Sequence, residues 1–325
     1  MNERIRWIDY AKGIAAGLVL IGHFVPLRLL QIFIYSFHMP LFFFLAGVIF
    51  RNQQPDFKTF TKKKFMQIMV PYFIFVIPMF IMKCLQDIHV GNMKLLVKHF
   101  IGIFLCWKGT SLYSGVWFLP CMFIVYVLAW GGVQLQNTSQ RILGTVIAAI
   151  IGYSLGKLNI TFPFGADTAL IALSFFEMGM VLRKYEKSIS KKHIFLYIIT
   201  AVSSAMNFIL CGRRVEMYSC DYGNIVLFLI ASFSGIVGTI ALSKNIADNK
   251  SLEKMGKSAI YLYGAQLVPL SIYRGIHIEG NVIRIVVGFL AAIFIGRILL
   301  VIQPLYDRLY SKCLKTWRSV NITLN

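Results

Sequence analysis

Residues 9–50 read DYAKGIAAGLVLIGHFVPLRLLQIFIYSFHMPLFFFLAGVIF. Two apolar stretches, 9–29 and 31–50, follow one another almost without a polar pause. At about 1.5 Å of rise per residue, each is long enough as a helix to cross a hydrocarbon layer of roughly 30 Å. Further stretches of this kind lie near 66–86, 114–134, 141–156, 166–184, 194–211, 223–243, 258–274 and 282–304. The expected fold is therefore an all-α integral membrane protein of about ten transmembrane helices. Composition agrees: 58% hydrophobic residues, 14% charged residues and a mean hydropathy of +0.70 exclude an ordinary soluble globule. In 325 residues this leaves room for one polytopic membrane domain, 1–325, and no large soluble one. The first stretch reads as a retained span, since Lys12 interrupts it and no small-residue cleavage site follows. Segment 95–107 is apolar but short, which suits a re-entrant or interfacial helix.

The net charge of +20 is a topological signal before it is a nucleic-acid signal. On the ten-span reading, one face collects 21 of the 33 Lys and Arg residues and the other ten, with Lys12 and Arg297 inside spans. By the positive-inside bias both termini are expected in the cytoplasm, with the bilayer as the main partner and no nucleic acid. The six cysteines form no CxxC pair and no zinc-type spacing, so no metal is expected. Cys211 and Cys220 flank one outer loop, where two thiols are preferred to a bridge.

Ionisable residues within spans are expensive, which makes Asp9, Lys12, His23, His38, Glu177 and Arg297 candidates for function. Lys12 and His23 are eleven residues apart, so on a helix they fall about 20° from one another in azimuth and roughly 16 Å apart along the axis. Asp9 lies within about 60° of both. This face reaches from the cytoplasmic boundary to mid-membrane. It suits a long donor with an anionic head, such as a coenzyme A thioester, held by Lys12 while its arm reaches an imidazole. His23 is the candidate general base, since its pKa range allows it to take a proton from a hydroxyl and return it to a thiolate. Glu177 and Arg297 sit level with Asp9 and Lys12 at a depth of roughly 9 Å, which predicts a balanced polar cluster of these four. His38 precedes Pro40, which frees backbone groups, and a structural role is preferred for it. Trp117 is placed either to stack on a sugar or to anchor at the interface.

The stretch Arg6-Trp7-Ile8-Asp9-Tyr10-Ala11-Lys12-Gly13-Ile14 with Gly22-His23, followed by Phe37-His38-Met39-Pro40-Leu41-Phe42-Phe43-Phe44-Leu45-Ala46-Gly47, resembles membrane acyltransferase family 3, in its fucose 4-O-acetylase-like branch. The resemblance continues at Val116-Trp117-Phe118-Leu119 and at Met255-Gly256-Lys257-Ser258-Ala259-Ile260-Tyr261-Leu262-Tyr263. It implies an O-acyltransferase of the bacterial plasma membrane that takes an acyl group, usually acetyl, from cytoplasmic acyl-coenzyme A and places it on a hydroxyl of a surface carbohydrate or glycolipid. The family's basic-x10-His motif falls on Lys12 and His23. Its paired basic residues before a Pro-Tyr, implicated in donor binding, fall on Lys64 and Gln67 ahead of Pro71-Tyr72, with Lys63 adding charge beside them. Gln67 is thus one departure. Gln266 is another, at a place where the family often has His. A polysaccharide or lipid-linked sugar exporter and a non-catalytic glycolipid-binding relative are the rival readings.

Overall fold

The computed structural model of the protein describes residues 6–51, 55–89, 91–110, 113–135, 137–188, 193–276 and 280–322. Helices dominate, and the only strand-like feature among these residues is a bridge between Glu216 and Asp221. In chain order the helices are α1 (Arg6–Phe24), α2 (Arg28–Tyr35), α3 (His38–Ile49), α4 (Phe57–His89), α5 (Met93–Leu105), α6 (Tyr113–Val116), α7 (Phe118–Gln134) and α8 (Thr138–Lys157). They continue as α9 (Ala166–Leu182), α10 (His193–Cys211), α11 (Ile225–Asn245), α12 (Lys250–Lys257), α13 (Ala259–Ala265), α14 (Leu267–Gly275) and α15 (Asn281–Ile322).

A helix or a pair of helices covers each of the ten apolar segments. Six stretches, Arg28–Ile49, Phe57–Leu85, Pro163–Tyr185, His193–Cys211, Ile225–Asn245 and Asn281–Lys312, are long and apolar enough to cross a membrane, and Phe118–Gln134 and Ala259–Tyr273 are apolar but shorter. α1 and α8 are long enough yet more polar, α1 through Arg6, Asp9 and Lys12 and α8 through Arg141 and Lys157. α5 has 13 residues, about 20 Å of helix, and lies along α4, where the Tyr72 hydroxyl donates to the Ile103 carbonyl at 2.8 Å.

Without a hydrophobic drive between helices, packing rests on close approach at small residues. At the α3–α9 crossing the contact is reciprocal: a Cβ on Gly47 would collide with the Phe176 carbonyl, and one on Gly179 with the Phe44 carbonyl. The Ala46-Gly47 pair therefore serves helix packing. α1 meets α12 in the same way, Gly256 against the Asp9 carbonyl and Gly13 against Leu252.

Among the described residues, the helical hydrogen-bond ladder of three apolar segments is broken, between α2 and α3 at 36–37, between α6 and α7 at Trp117 and between α13 and α14 at Gln266. Phe37 leaves helical geometry (φ −141°), whereas Trp117 and Gln266 keep it. Each second helix restarts with a proline at its third position, Pro40, Pro120 and Pro269, where a missing N–H costs little because first-turn donors have no helical partner. The freed groups find new partners. The Ser36 carbonyl accepts from Ser232 Oγ at 2.6 Å, the Ile34 carbonyl accepts from His38 Nδ1 at 2.8 Å, and the Phe118 N–H donates to the Tyr263 hydroxyl at 3.2 Å. Backbone groups without a ladder partner at this depth are tolerated where protein covers them or where they line a cavity, and these breaks lie beside two cavities.

Candidate active site

The first cavity, about 440 Å³, opens at the end of the bundle that carries the α11–α12 connection and the start of α4. Lys12, Lys64 and Lys257 line it together with Gln67, Ser258 and Asp307. Its aromatic wall includes Tyr126, over whose ring Lys64 Nζ lies at 3.6 Å, and the stacked pair Tyr306 and Tyr310. Lys257 also pairs with Glu253 one turn earlier. Ser258, between α12 and α13, is buried, and its Oγ has no hydrogen-bond partner among the described residues. Lys63 is exposed and stands outside this cavity, so the turn of α4 divides Lys63 from Lys64.

The second cavity, about 250 Å³, lies under the 212–222 loop. His23, Tyr35, His38, Trp117, Arg214, Glu216, Tyr218 and Tyr263 line it. Among the described residues, Tyr263 is the one common to both linings, so both cavities border it. Lys12 and His23, neighbours in azimuth on α1, thus open into different cavities on either side of Tyr263.

Gln266 fixes the chemistry of His23. Its Nε2 donates to the Tyr263 carbonyl at 3.0 Å, which turns Oε1 toward His23 Nδ1 at 3.3 Å. A carboxamide oxygen only accepts, so Nδ1 is the protonated nitrogen and the neutral imidazole keeps its basic character on Nε2. His38 is committed differently, through Nδ1 to the Ile34 carbonyl, with Tyr35 packed against its ring at 5.0 Å. Trp117 sits at the α6–α7 break with its ring 6.3 Å from that of Tyr218.

The 212–222 loop is held down by a buried network. Lys108 pairs with Asp167 in the first turn of α9, and its Nζ also reaches Thr168 Oγ1 at 2.8 Å and Cys220 Sγ at 3.1 Å. Thr168 Oγ1 donates to the Met217 carbonyl at 3.2 Å, and the Tyr218 hydroxyl accepts from the Gly109 N–H. Cys211 and Cys220 are free thiols, and burial pushes the Cys220 thiol above its ordinary value, with Lys108 opposing. Arg214 closes the loop over the cavity: Nη1 donates to Gln31 at 2.9 Å, Nη2 to Glu216 at 3.2 Å, and the guanidinium lies 4.0 Å from the Tyr35 ring centre. Burial raises the Glu216 carboxyl above its ordinary value, Arg214 opposing.

The predicted four-residue polar cluster does not assemble. Glu177 pairs with Arg141, Nε to Oε2 at 3.0 Å, both side chains nearly buried between α8 and α9. Arg297 is exposed on α15, which packs on α1, α4 and α13. Equal depth puts two residues on one level, but only helix neighbourhood decides whether they meet, and α9 neighbours α8. Asp9 is buried where α1 crosses α12 and lines neither cavity. Tyr263 and Arg141 carry no weight in the sequence reading beyond their stretches, whereas Arg214 and Glu216 fall in the outer loop 212–222, which with segment 87–113 is the expected acceptor contact by position alone. Pro120 and Pro269 were the available signal for the breaks that bring Trp117, Tyr263 and Gln266 together.

The family model described as an acyltransferase domain, that of acyltransferase family 3, matches residues 5–301. No curated protein and no solved structure matches the chain. Among the described residues, no three His, Cys, Asp or Glu side chains group as metal ligands.

Proposed function

The chain belongs to membrane acyltransferase family 3, and on that premise we propose that it is an O-acyltransferase moving acetyl, or another acyl group, from acyl-coenzyme A to a hydroxyl of a surface carbohydrate or glycolipid. The observation that carries this reading is the pair of cavities that meet at Tyr263, one basic, the other holding His23. On a ten-span topology with cytoplasmic termini, the basic cavity faces the cytoplasm of a bacterial cell and the second faces outward. The kinship to the fucose 4-O-acetylase-like branch belongs to the same proposal.

The acyl donor is a substrate here. A cavity of about 440 Å³ suits the pantetheine arm, with the phosphates near Lys12, Lys64 and Lys257 and the adenine beside Tyr306 and Tyr310. Lys63 adds only long-range attraction. The acceptor hydroxyl lies in the second cavity, with Trp117 beneath its ring. Its oxygen attacks the thioester carbonyl carbon while His23 Nε2 takes the hydroxyl proton. The tetrahedral intermediate collapses, the carbon–sulfur bond breaks, and the imidazolium returns its proton to the departing thiolate. Gln266 holds the imidazole in the required tautomer through Nδ1. The Tyr263 hydroxyl accepts from the Phe118 N–H, so its own proton is available to the developing oxyanion between the cavities. Asp9, buried at the close crossing of α1 and α12 and lining neither cavity, takes no step in this scheme. Direct transfer is preferred to an acyl-enzyme, because among the described residues no Ser or Cys lines the cavity with His23.

The test is binding and turnover of labelled acetyl-coenzyme A by purified protein with a surface glycan extract, wild type beside His23→Ala. Transfer by wild type that vanishes in the variant while donor binding persists supports the reading. A folded wild type that binds no acyl-coenzyme A sinks it.

A further inference from the structure

Among the described residues, the lining of the second cavity carries one fixed positive and one fixed negative charge, and they neutralise each other. Arg214 and Glu216 both line it, each with about a third of its side chain exposed, joined at 3.2 Å. Arg214 is held from two further sides, by Gln31 at 2.9 Å and by the face of Tyr35. Gln31 in turn donates to the Gly22 and Val25 carbonyls, so the guanidinium is referenced to the end of α1 that bears His23. The remaining acid of this loop, Asp221, pairs with Arg213 at 2.6 Å, and neither lines the cavity. At about 250 Å³ the space lies below the range of roughly 300–1,000 Å³ that takes drug-sized ligands, which fits one ring unit. Trp117, Tyr35 and Tyr218 offer it aromatic faces.

We propose that Glu216 sets the charge class of the acceptor, so that the cavity admits an uncharged sugar unit and rejects the corresponding uronate. This rests on the reading of the cavity as the acceptor site. A neutral polyol can accept from the guanidinium and donate to the carboxylate without separating them. A uronate carboxylate that accepts from the same guanidinium comes to lie beside Glu216, which sets two carboxylates against each other in a partly desolvated space unless Glu216 is displaced. The repulsive element is built into the site, as specificity commonly requires.

Saturation-transfer NMR on the purified full chain tests this with a matched pair, methyl glucoside and methyl glucuronoside, which differ only at C6. Acetyl transfer and acetyl-coenzyme A binding are recorded on the same samples. Wild type should bind the glucoside about tenfold or more tightly than the uronoside. Glu216→Gln, which keeps the size and an oxygen for Arg214, should erase or reverse that preference. Arg214→Gln, which leaves Glu216 uncompensated, should sharpen it, and retained acetyl-coenzyme A binding reports that both variants fold. Equal binding of the two glycosides by wild type, no binding of either, or a preference unchanged in Glu216→Gln overturns the charge rule even where transfer to other acceptors is seen. Binding that obeys the rule, with bound acetyl-coenzyme A but no transfer, supports the rule and overturns the acyltransferase reading instead.

Discussion

The two cavities are built by different means. The basic cavity is walled by side chains from α1, α3, α4, α7, the α12–α13 joint, α13 and α15, and its charges stand on helices. The second is assembled from helix breaks at 36–37 and Trp117, from residues flanking the break at Gln266, and from a loop pinned by Lys108, Asp167 and Arg214. A helix-walled cavity tolerates the loss of one charge, because its shape does not depend on it. A cavity made of breaks and a clasped loop couples each polar residue to the shape of the site. Changes in the first cavity should therefore alter donor affinity, and changes in the second should alter acceptor affinity or the chemical step.

The largest effect expected is that of His23→Ala. Loss of a general base costs about 10²- to 10⁴-fold in rate, and donor binding should stay at the wild-type level because His23 lines only the second cavity. A variant that loses acetyl-coenzyme A binding as well would break the division between the cavities.

Next comes a control that belongs to neither. Glu177→Ala leaves Arg141 charged and nearly buried, and breaking such a pair costs about 3–5 kcal/mol. Thermal unfolding in detergent should show a clear loss of stability, with both Michaelis constants of the surviving enzyme unchanged. A shift in either constant would restore Glu177 to the site.

A smaller effect is expected at Lys64, where Ala should raise the KM for acetyl-coenzyme A about tenfold, the worth of one hydrogen bond to a charged group. Steady-state kinetics checks this, and the acceptor KM should not follow. The smallest is a pH effect. Glu216 faces Arg214, with Asp221 further along the loop and His38 across the cavity, and burial lifts its carboxyl above the ordinary range. As pH falls, Glu216 therefore protonates earlier than a solvated carboxylate. The Arg214–Glu216 clasp weakens, and acceptor KM rises at a pH above the usual carboxylate range. Glu216→Gln should abolish that limb of the profile and leave any limb due to His23.

These two constructions also explain what could be read in advance. Lys12 and His23 lie on one helix, and 3.6 residues per turn gave both their shared face and their separation. Lys64 and Gln67 were visible only through the resemblance to the family, whose paired basic positions before Pro71-Tyr72 they occupy. The partner of Glu177 was not, because depth along a span says nothing about which helix stands beside it. Arg141 looked like an orienting loop charge, whereas it lies in the first turn of α8 with its side chain turned inward. The break at 36–37 was announced by Pro40. Pro120 and Pro269 announce the other two by the same rule, yet a proline in an apolar stretch also occurs in merely kinked spans. Gln266 read as a lost proton carrier, while in the fold it directs the tautomer of His23. Arg214 and Glu216 are joined to the site only through contacts nearly 200 residues away in sequence, such as Arg214 to Gln31, and no periodicity predicts such a contact.

The most direct test of two cavities meeting at Tyr263 is two-substrate kinetics on Lys64→Ala and Trp117→Ala, with acetyl-coenzyme A and a neutral glycoside each varied in turn. The account predicts that Lys64→Ala raises only the donor KM and Trp117→Ala only the acceptor KM. If either variant raised both constants in proportion, donor and acceptor would share one space, and the division drawn here would be contradicted.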